Sequence, residues 1–175
     1  MIKRLIVAVA LIFFQTITFA QQKPNIVIII SDDHAYQTIG AYGSSIARTP
    51  HIDRIANEGA IFNKGYVTNS ICGPARAVLL TGKYSHKNGF KDNETSNFDH
   101  SQQTFIKELV KNGYKATWIG KIHLGHKLEG FTDYDILEGQ GHYYNPDFIS
   151  LEGKHREEGY VSNIVTDKAL TWMDQ

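Results

Sequence analysis

The chain has one cysteine among its 175 residues. An internal disulfide needs two cysteines, and a multi-cysteine zinc site needs at least as many, so both are excluded. Neither sign of charge is in excess, with 18 Lys and Arg against 18 Asp and Glu. A nucleic-acid binder calls for a basic surplus, and there is none. No apolar run approaches the ~20 residues that a bilayer-spanning helix requires. The longest is the ten-residue stretch Leu5–Phe14. Internal repeats and low-complexity segments are absent as well. What is present is ordinary for a folded protein: 42% hydrophobic and 21% charged residues, in a length that fits about one domain.

The amino terminus has a three-part pattern. Lys3 and Arg4 are basic, Leu5–Phe14 is apolar, and Thr18-Phe19-Ala20 places small residues where a signal peptidase reads. The expectation is a secretory leader over residues 1–20 and an exported protein, periplasmic or extracellular. The apolar run is too short for a membrane anchor, and no cysteine follows it to carry a lipid. The remaining 155 residues have 16 basic and 18 acidic side chains, a formal charge of −2. An unpaired cysteine in an oxidising compartment then calls for an explanation.

Patterning points to an α/β domain. Asn25–Ile30 contains five consecutive β-branched residues before Ser31-Asp32-Asp33, which predicts a strand buried on both faces. Thr49-Pro50 predicts an N-cap and first helical position, with Gly59 as the stop. A second strand is expected over residues 60–67. Helices are expected over 75–80 and 104–111, and a strand over 114–119. Residues 120–160 read as loops with short elements. A last helix carries Val161, Ile164, Val165 and Ala169 on one face and ends at Gln175 without a stop signal. The expectation is the amino-terminal portion of a larger domain, with a largely parallel central sheet.

Two places hold candidate chemistry. Asp32 and Asp33 follow the expected strand, where open α/β sheets place ligands. Adjacent carboxylates fit a hard cation such as calcium or magnesium, or a solvated acidic turn. Cys72 precedes Gly73, Pro74 and an expected helix. A helix start lowers a thiol pKa and binds anions, so Cys72 is either a reactive thiolate or an inert packed thiol. Arg76 lies within the first turn. Elsewhere, His34 is read as a neighbour of the acid pair. Asn93-Glu94-Thr95 is a glycosylation sequon of a kind common by chance. His86, His100, His126, His142 and His155 have no zinc-like spacing.

Cys72-Gly73-Pro74-Ala75-Arg76 with Leu80-Thr81-Gly82 resembles the signature of type I sulfatases, Cys-x-Pro-x-Arg with Thr-Gly further on. Ala75 stands where serine is usual. Pro24-Asn25-Ile26-Val27 leading to Asp32-Asp33, Thr49-Pro50-His51-Ile52-Asp53, and Gly120-Lys121-Ile122-His123-Leu124-Gly125 resemble further family segments in the family's order. In the last of these, Ile122 replaces a tryptophan. The stretch 139–148 resembles bacterial enzymes of the N-acetylglucosamine-6-sulfatase type.

The resemblance implies an alkaline-phosphatase-like α/β/α sandwich. It also implies that Cys72 is oxidised to Cα-formylglycine by a formylglycine-generating enzyme or an anaerobic sulfatase-maturating enzyme. The hydrated aldehyde would attack a sulfate ester through one hydroxyl and expel sulfate through loss of the other proton. Asp32, Asp33 and the modified Cys72 would hold calcium. Arg76 would stabilise the ionised hydroxyl, Lys121 would bridge the sulfate and the diol, and His123 would assist deprotonation. The substrate would be a sulfated glycan. The competing readings are a phosphonate monoester or phosphodiester hydrolase of the same superfamily, and a chain without turnover of its own. Ion ligands and catalytic residues beyond those named are not identifiable in the sequence.

Overall fold

The computed structural model describes residues 23–125 and 128–175. The expected leader over residues 1–20 and His126 lie outside the described residues. Two compact units divide the chain, one ending at Ile52 and the other spanning Asp53–Gln175.

The first unit is built from turns. Asn25–Ile30 was expected as a buried strand. It carries no strand assignment, and its side chains are exposed, Ile29 to 82%. A strand exists through its ladder partner, and none pairs with this run among the described residues. Two short 3-10 turns follow, Tyr36–Thr38 and Gly40–Tyr42. The Gly40 N–H donates to Thr49 Oγ1 at 2.8 Å, and the Tyr36 and Tyr42 rings meet edge to face. Helix α1, Pro50–Glu58, then begins on the proline, as its fixed φ favours.

The second unit holds the core. Residues 60–67, expected as a strand, have no strand assignment, and Phe62, Tyr66 and Val67 are exposed. The same physical reason applies, because nothing among the described residues pairs with them. Helix α2, Cys72–Thr81, is longer by one turn at its start than the expected 75–80. It stops on Gly82, whose φ of 64° is the left-handed cap conformation. A short helix α3, Ser85–Asn88, follows. Helix α4, Phe105–Lys111, is capped by the Thr104 side chain, which accepts from the Lys107 N–H.

Four strands make one sheet in sequential order: β1 Thr117–Gly120, β2 Asp133–Leu137, β3 Asp147–Ser150 and β4 Gly153–Arg156. β1 and β2 are parallel, while β2–β3 and β3–β4 are antiparallel. The parallel character expected of the sheet is thus confined here to one pair, and the short elements expected among the loops of residues 120–160 include three strands. Thr132 starts β2 in register, its Oγ1 accepting from the Ala116 N–H at 2.8 Å. Helix α5, Val161–Met173, closes the chain. Val165 approaches Gly120 at the end of β1 so closely that an added Cβ would be in contact at 3.4 Å.

Ala77 and Leu80 of α2, Ile106 of α4, Tyr134 and Ile136 of β2, and the loop residues Phe90, Phe98, Ile122, Leu124 and Leu128 form one buried cluster. Helix α2 is therefore fixed by the core from below, and the loop after β1 is part of that core. No helix among the described residues is long and apolar enough to cross a membrane.

Candidate active site

Helix α2 presents its first residue to the site. Ile71, the cap position, makes no side-chain cap bond, and the Ala75 N–H closes the first helical turn on the Ile71 carbonyl at 2.9 Å. Gly73 and Pro74 behind Cys72 are buried, and Cys72 itself is half-buried. Gly73 is there because nothing larger fits. A Cβ at this position would lie 2.5 Å from Asn93 Oδ1, 2.6 Å from the Phe90 ring and 2.9 Å from the His123 carbonyl. The helix start is thus seated in a socket made by residues 90, 93 and 123. Arg76 is one turn on from Cys72, on the same helix face, and only 6% exposed.

The loop after β1 alternates. Ile122 and Leu124 are buried in the core, while Lys121 and His123 between them are half-buried. Ile122 therefore fills the apolar role in the segment where the family pattern has tryptophan. Three features set the loop's path. Trp118 Nε1 donates to the Lys121 carbonyl at 3.2 Å. His100 Nε2 lies 2.7 Å from the Leu124 carbonyl, so that ring nitrogen carries the proton. His123 adopts a left-handed φ of 59°, a conformation that non-glycine residues keep where the surroundings impose it. The result is direct: His123 Nδ1 sits 3.0 Å from Cys72 Sγ, across 51 residues of sequence.

The structure therefore brings together Cys72 and His123 by contact, with Arg76 on the Cys72 helix and Lys121 on the His123 loop. Asp32 and Asp33 belong to the first unit. Both are exposed, and Asp33 has a left-handed φ of 52°. The expected strand before them is absent, so they stand in a bend instead of at a strand end.

One contact was not anticipated. Asn93 Nδ2 donates to Cys72 Sγ at 3.1 Å, and Asn93 Oδ1 accepts from the Gly73 N–H at 3.2 Å. The sequence offered only its sequon, since a contact over 21 residues of loop leaves no periodic signal.

A second group of polar residues lies apart from this site. Asp135, His155 and Glu157 have ligand-type atoms close together. Lys168 of α5 already supplies the cation, with Nζ 2.6 Å from Asp135 Oδ2 and 2.6 Å from Glu157 Oε1. Burial lowers the Lys168 pKa, but hydrogen bonds to Asp135 and Glu157 outweigh it and raise the net value. The group is an ion-pair clamp of α5 onto the sheet.

The comparisons agree with the motifs. A sulfatase family model matches residues 24–175. The N-acetylglucosamine-6-O-sulfatase of Bacteroides thetaiotaomicron is 47% identical over 157 residues, covering 87% of this chain and 28% of that protein. Human N-acetylgalactosamine-6-sulfatase is 36% identical over 120 residues, 62% of this chain and 23% of that protein. A solved structure of a protein in complex with its substrate D-glucosamine-2-N,6-O-disulfate superposes with a TM-score of 0.85 at 44% identity, covering 88% of this chain and 32% of that one. The phosphonate monoester hydrolase of Agrobacterium radiobacter, with a TM-score of 0.52 at 23% identity over 58% of this chain and 23% of that one, shares the fold alone. The chain spans 28% of the length of the Bacteroides relative. With the family pattern matched over residues 24–175 and Cys72 and His123 of its signatures in contact, the chain belongs to the sulfatase family.

Proposed function

We propose that the protein hydrolyses sulfate esters on a sulfated glycan, with N-acetylglucosamine 6-sulfate as the first candidate. The observation that carries this reading is the contact between Cys72 Sγ and His123 Nδ1 at 3.0 Å, made between two separate family signatures. The glycan class is supported by the names of the relatives that are 47% and 36% identical. Export through a leader over residues 1–20 would bring the protein to such substrates.

The surroundings of Cys72 suit an oxidised side chain. A thiol is a poor hydrogen-bonding group, yet Sγ has polar nitrogens of Asn93 and His123 at 3.1 and 3.0 Å. An oxygen on the same carbon makes fuller use of both. Formylglycine derived from Cys72 by a maturation enzyme would, after adding water to its aldehyde, supply a hydroxyl nucleophile that the thiol cannot. The donor set of Asp32 and Asp33 is all oxygen, which fits calcium better than a soft metal. Asp32 and Asp33 would hold it, and its charge would favour sulfate binding.

The chain's own residues then divide the work. His123 holds or moves a proton at the atom borne by residue 72. Arg76, at the first turn of α2, places a fixed positive charge behind that atom. The amino-terminal end of the helix adds the same sign of field. Lys121 brings a second cation to the sulfate oxygens from the His123 loop. The Asp32-Asp33 pair is the sole set of ion ligands beside residue 72 that the family pattern identifies. Residues 21–175 by themselves are therefore expected to turn over little substrate.

The test is full-length protein coexpressed with a formylglycine-generating enzyme. Conversion of Cys72 is read by peptide mass spectrometry. Sulfate release is measured from an aryl sulfate and from N-acetylglucosamine 6-sulfate, beside an aryl phosphodiester. Turnover of the sulfate esters is expected. Turnover of the phosphodiester alone would replace this reading with that of a phosphodiester hydrolase.

A further inference from the structure

The carboxamide of Asn93 meets two needs at once. The first turn of an α-helix has N–H groups without helical acceptors, and these are normally met by a polar cap residue. Ile71 cannot serve, and Asn93 Oδ1 accepts the Gly73 N–H in its place. The other end of the same planar group, Nδ2, donates to Cys72 Sγ. Sγ occupies the place of an oxygen carried on that carbon after oxidation.

The loop that presents Asn93 is tightly organised. The Asp92 carboxylate accepts from the N–H groups of Glu94, Thr95 and Ser96 and from the hydroxyls of Thr95 and Ser96. The Thr95 N–H, chief among these donors, holds the Asp92 carboxyl well below the usual carboxylate range. Asn69, shortly before α2, donates through Nδ2 to the Lys91 carbonyl at 3.1 Å. The loop is thus tied to the segment that leads into Cys72.

We propose that Asn93 is a further catalytic residue, touching the reacting atom of residue 72 through Nδ2 and capping its helix through Oδ1. This rests on the reading that residue 72 is the reacting position. Two contacts, from Asn93 and from His123, set the rotation of the residue 72 side chain. A neutral amide donor fixes one lone pair of an oxygen there and leaves His123 for proton transfer. Asparagine gives the acceptor and the donor from one rigid group.

Two substitutions separate the roles in the full-length protein. Asn93→Asp keeps an acceptor for the Gly73 N–H and removes the donor. Asn93→Leu fills the same space with neither. Conversion of residue 72 is measured by mass spectrometry, so that kcat and KM on an aryl sulfate are expressed per converted site. Crystal structures of both variants give the rotamer of residue 72. N93D is expected to keep the wild-type Tm and to lose roughly ten-fold in kcat with little change in KM. N93L is expected to lose about as much kcat and also to melt at a lower temperature. In both crystals residue 72 should populate more than one rotamer. Wild-type kcat in N93L or a single unchanged rotamer in N93D would each overturn the proposal. If fully converted wild-type protein turns over no sulfate ester, the proposed function fails instead, and the rotamers and melting temperatures still decide the role of Asn93.

Discussion

The two stretches that carry the candidate chemistry are held in opposite ways. Around Cys72, the helix start is seated against Phe90, Asn93 and the His123 carbonyl with no room for a methyl group at Gly73. The Asp32-Asp33 stretch is exposed, follows an apolar run that pairs with nothing among the described residues, and keeps one residue in the left-handed region. The difference teaches what each stretch can lose. A residue in the socket is tied to stability as well as chemistry. A residue in the exposed bend can be tied to chemistry alone.

The sharpest separation comes from Asp33→Asn. Asparagine tolerates the left-handed φ of 52° as well as aspartate does. If Asp33 is the ion ligand proposed above, the full-length variant is expected to lose roughly a hundred-fold in sulfate release, with Tm unchanged. A large drop in Tm would break the contrast. Next is Gly73→Ala. The added carbon meets a backbone carbonyl and a ring that cannot both withdraw, so a loss of about 1–3 kcal/mol in unfolding free energy is expected in denaturant titration. Unchanged stability would show that the socket yields.

The smallest effect lies at the sheet edge. The Arg156 guanidinium donates to both oxygens of Asp147, at 2.8 and 3.0 Å, and with Lys154 nearby it holds the Asp147 carboxyl down to about 2. Because the folded value lies below the ordinary 3.8, this contribution to stability is present above 3.8 and is lost as pH falls through about 2. Asp147→Asn is expected to flatten the dependence of Tm on pH slightly in that window. The surface position of the pair keeps the effect small. An unchanged slope would show that the pair contributes nothing there.

Much of the second unit was legible in advance. The helix from Phe105 has a capping threonine before it and Gly113 after it, and the helix from Val161 shows apolar residues at helical spacing. These are local signals, and they hold because each helix forms its own hydrogen bonds. The run Asn25–Ile30 misled for the opposite reason: five β-branched residues state a preference, but a strand also requires a partner. β2, β3 and β4 were legible only as short elements of unstated type, because each is four or five residues long, in a stretch rich in glycine and tyrosine. Within the site, Cys72 and His123 were each visible through a signature, yet their contact depends on the buried Ile122 and Leu124 turning His123 toward the helix. Asn93 was invisible in its role, because an asparagine aimed by a loop has no spacing to read.

The burial of Pro74 and Arg76 sets an order of events in the life of the chain. Any enzyme that identifies Cys72 by reading Pro74 and Arg76 beside it needs side chains that the folded protein has withdrawn. Such reading belongs to the interval between synthesis and docking of α2. Collapse of the core around Ala77 and Leu80 therefore acts as a clock for any such reading, because docking of α2 withdraws both side chains.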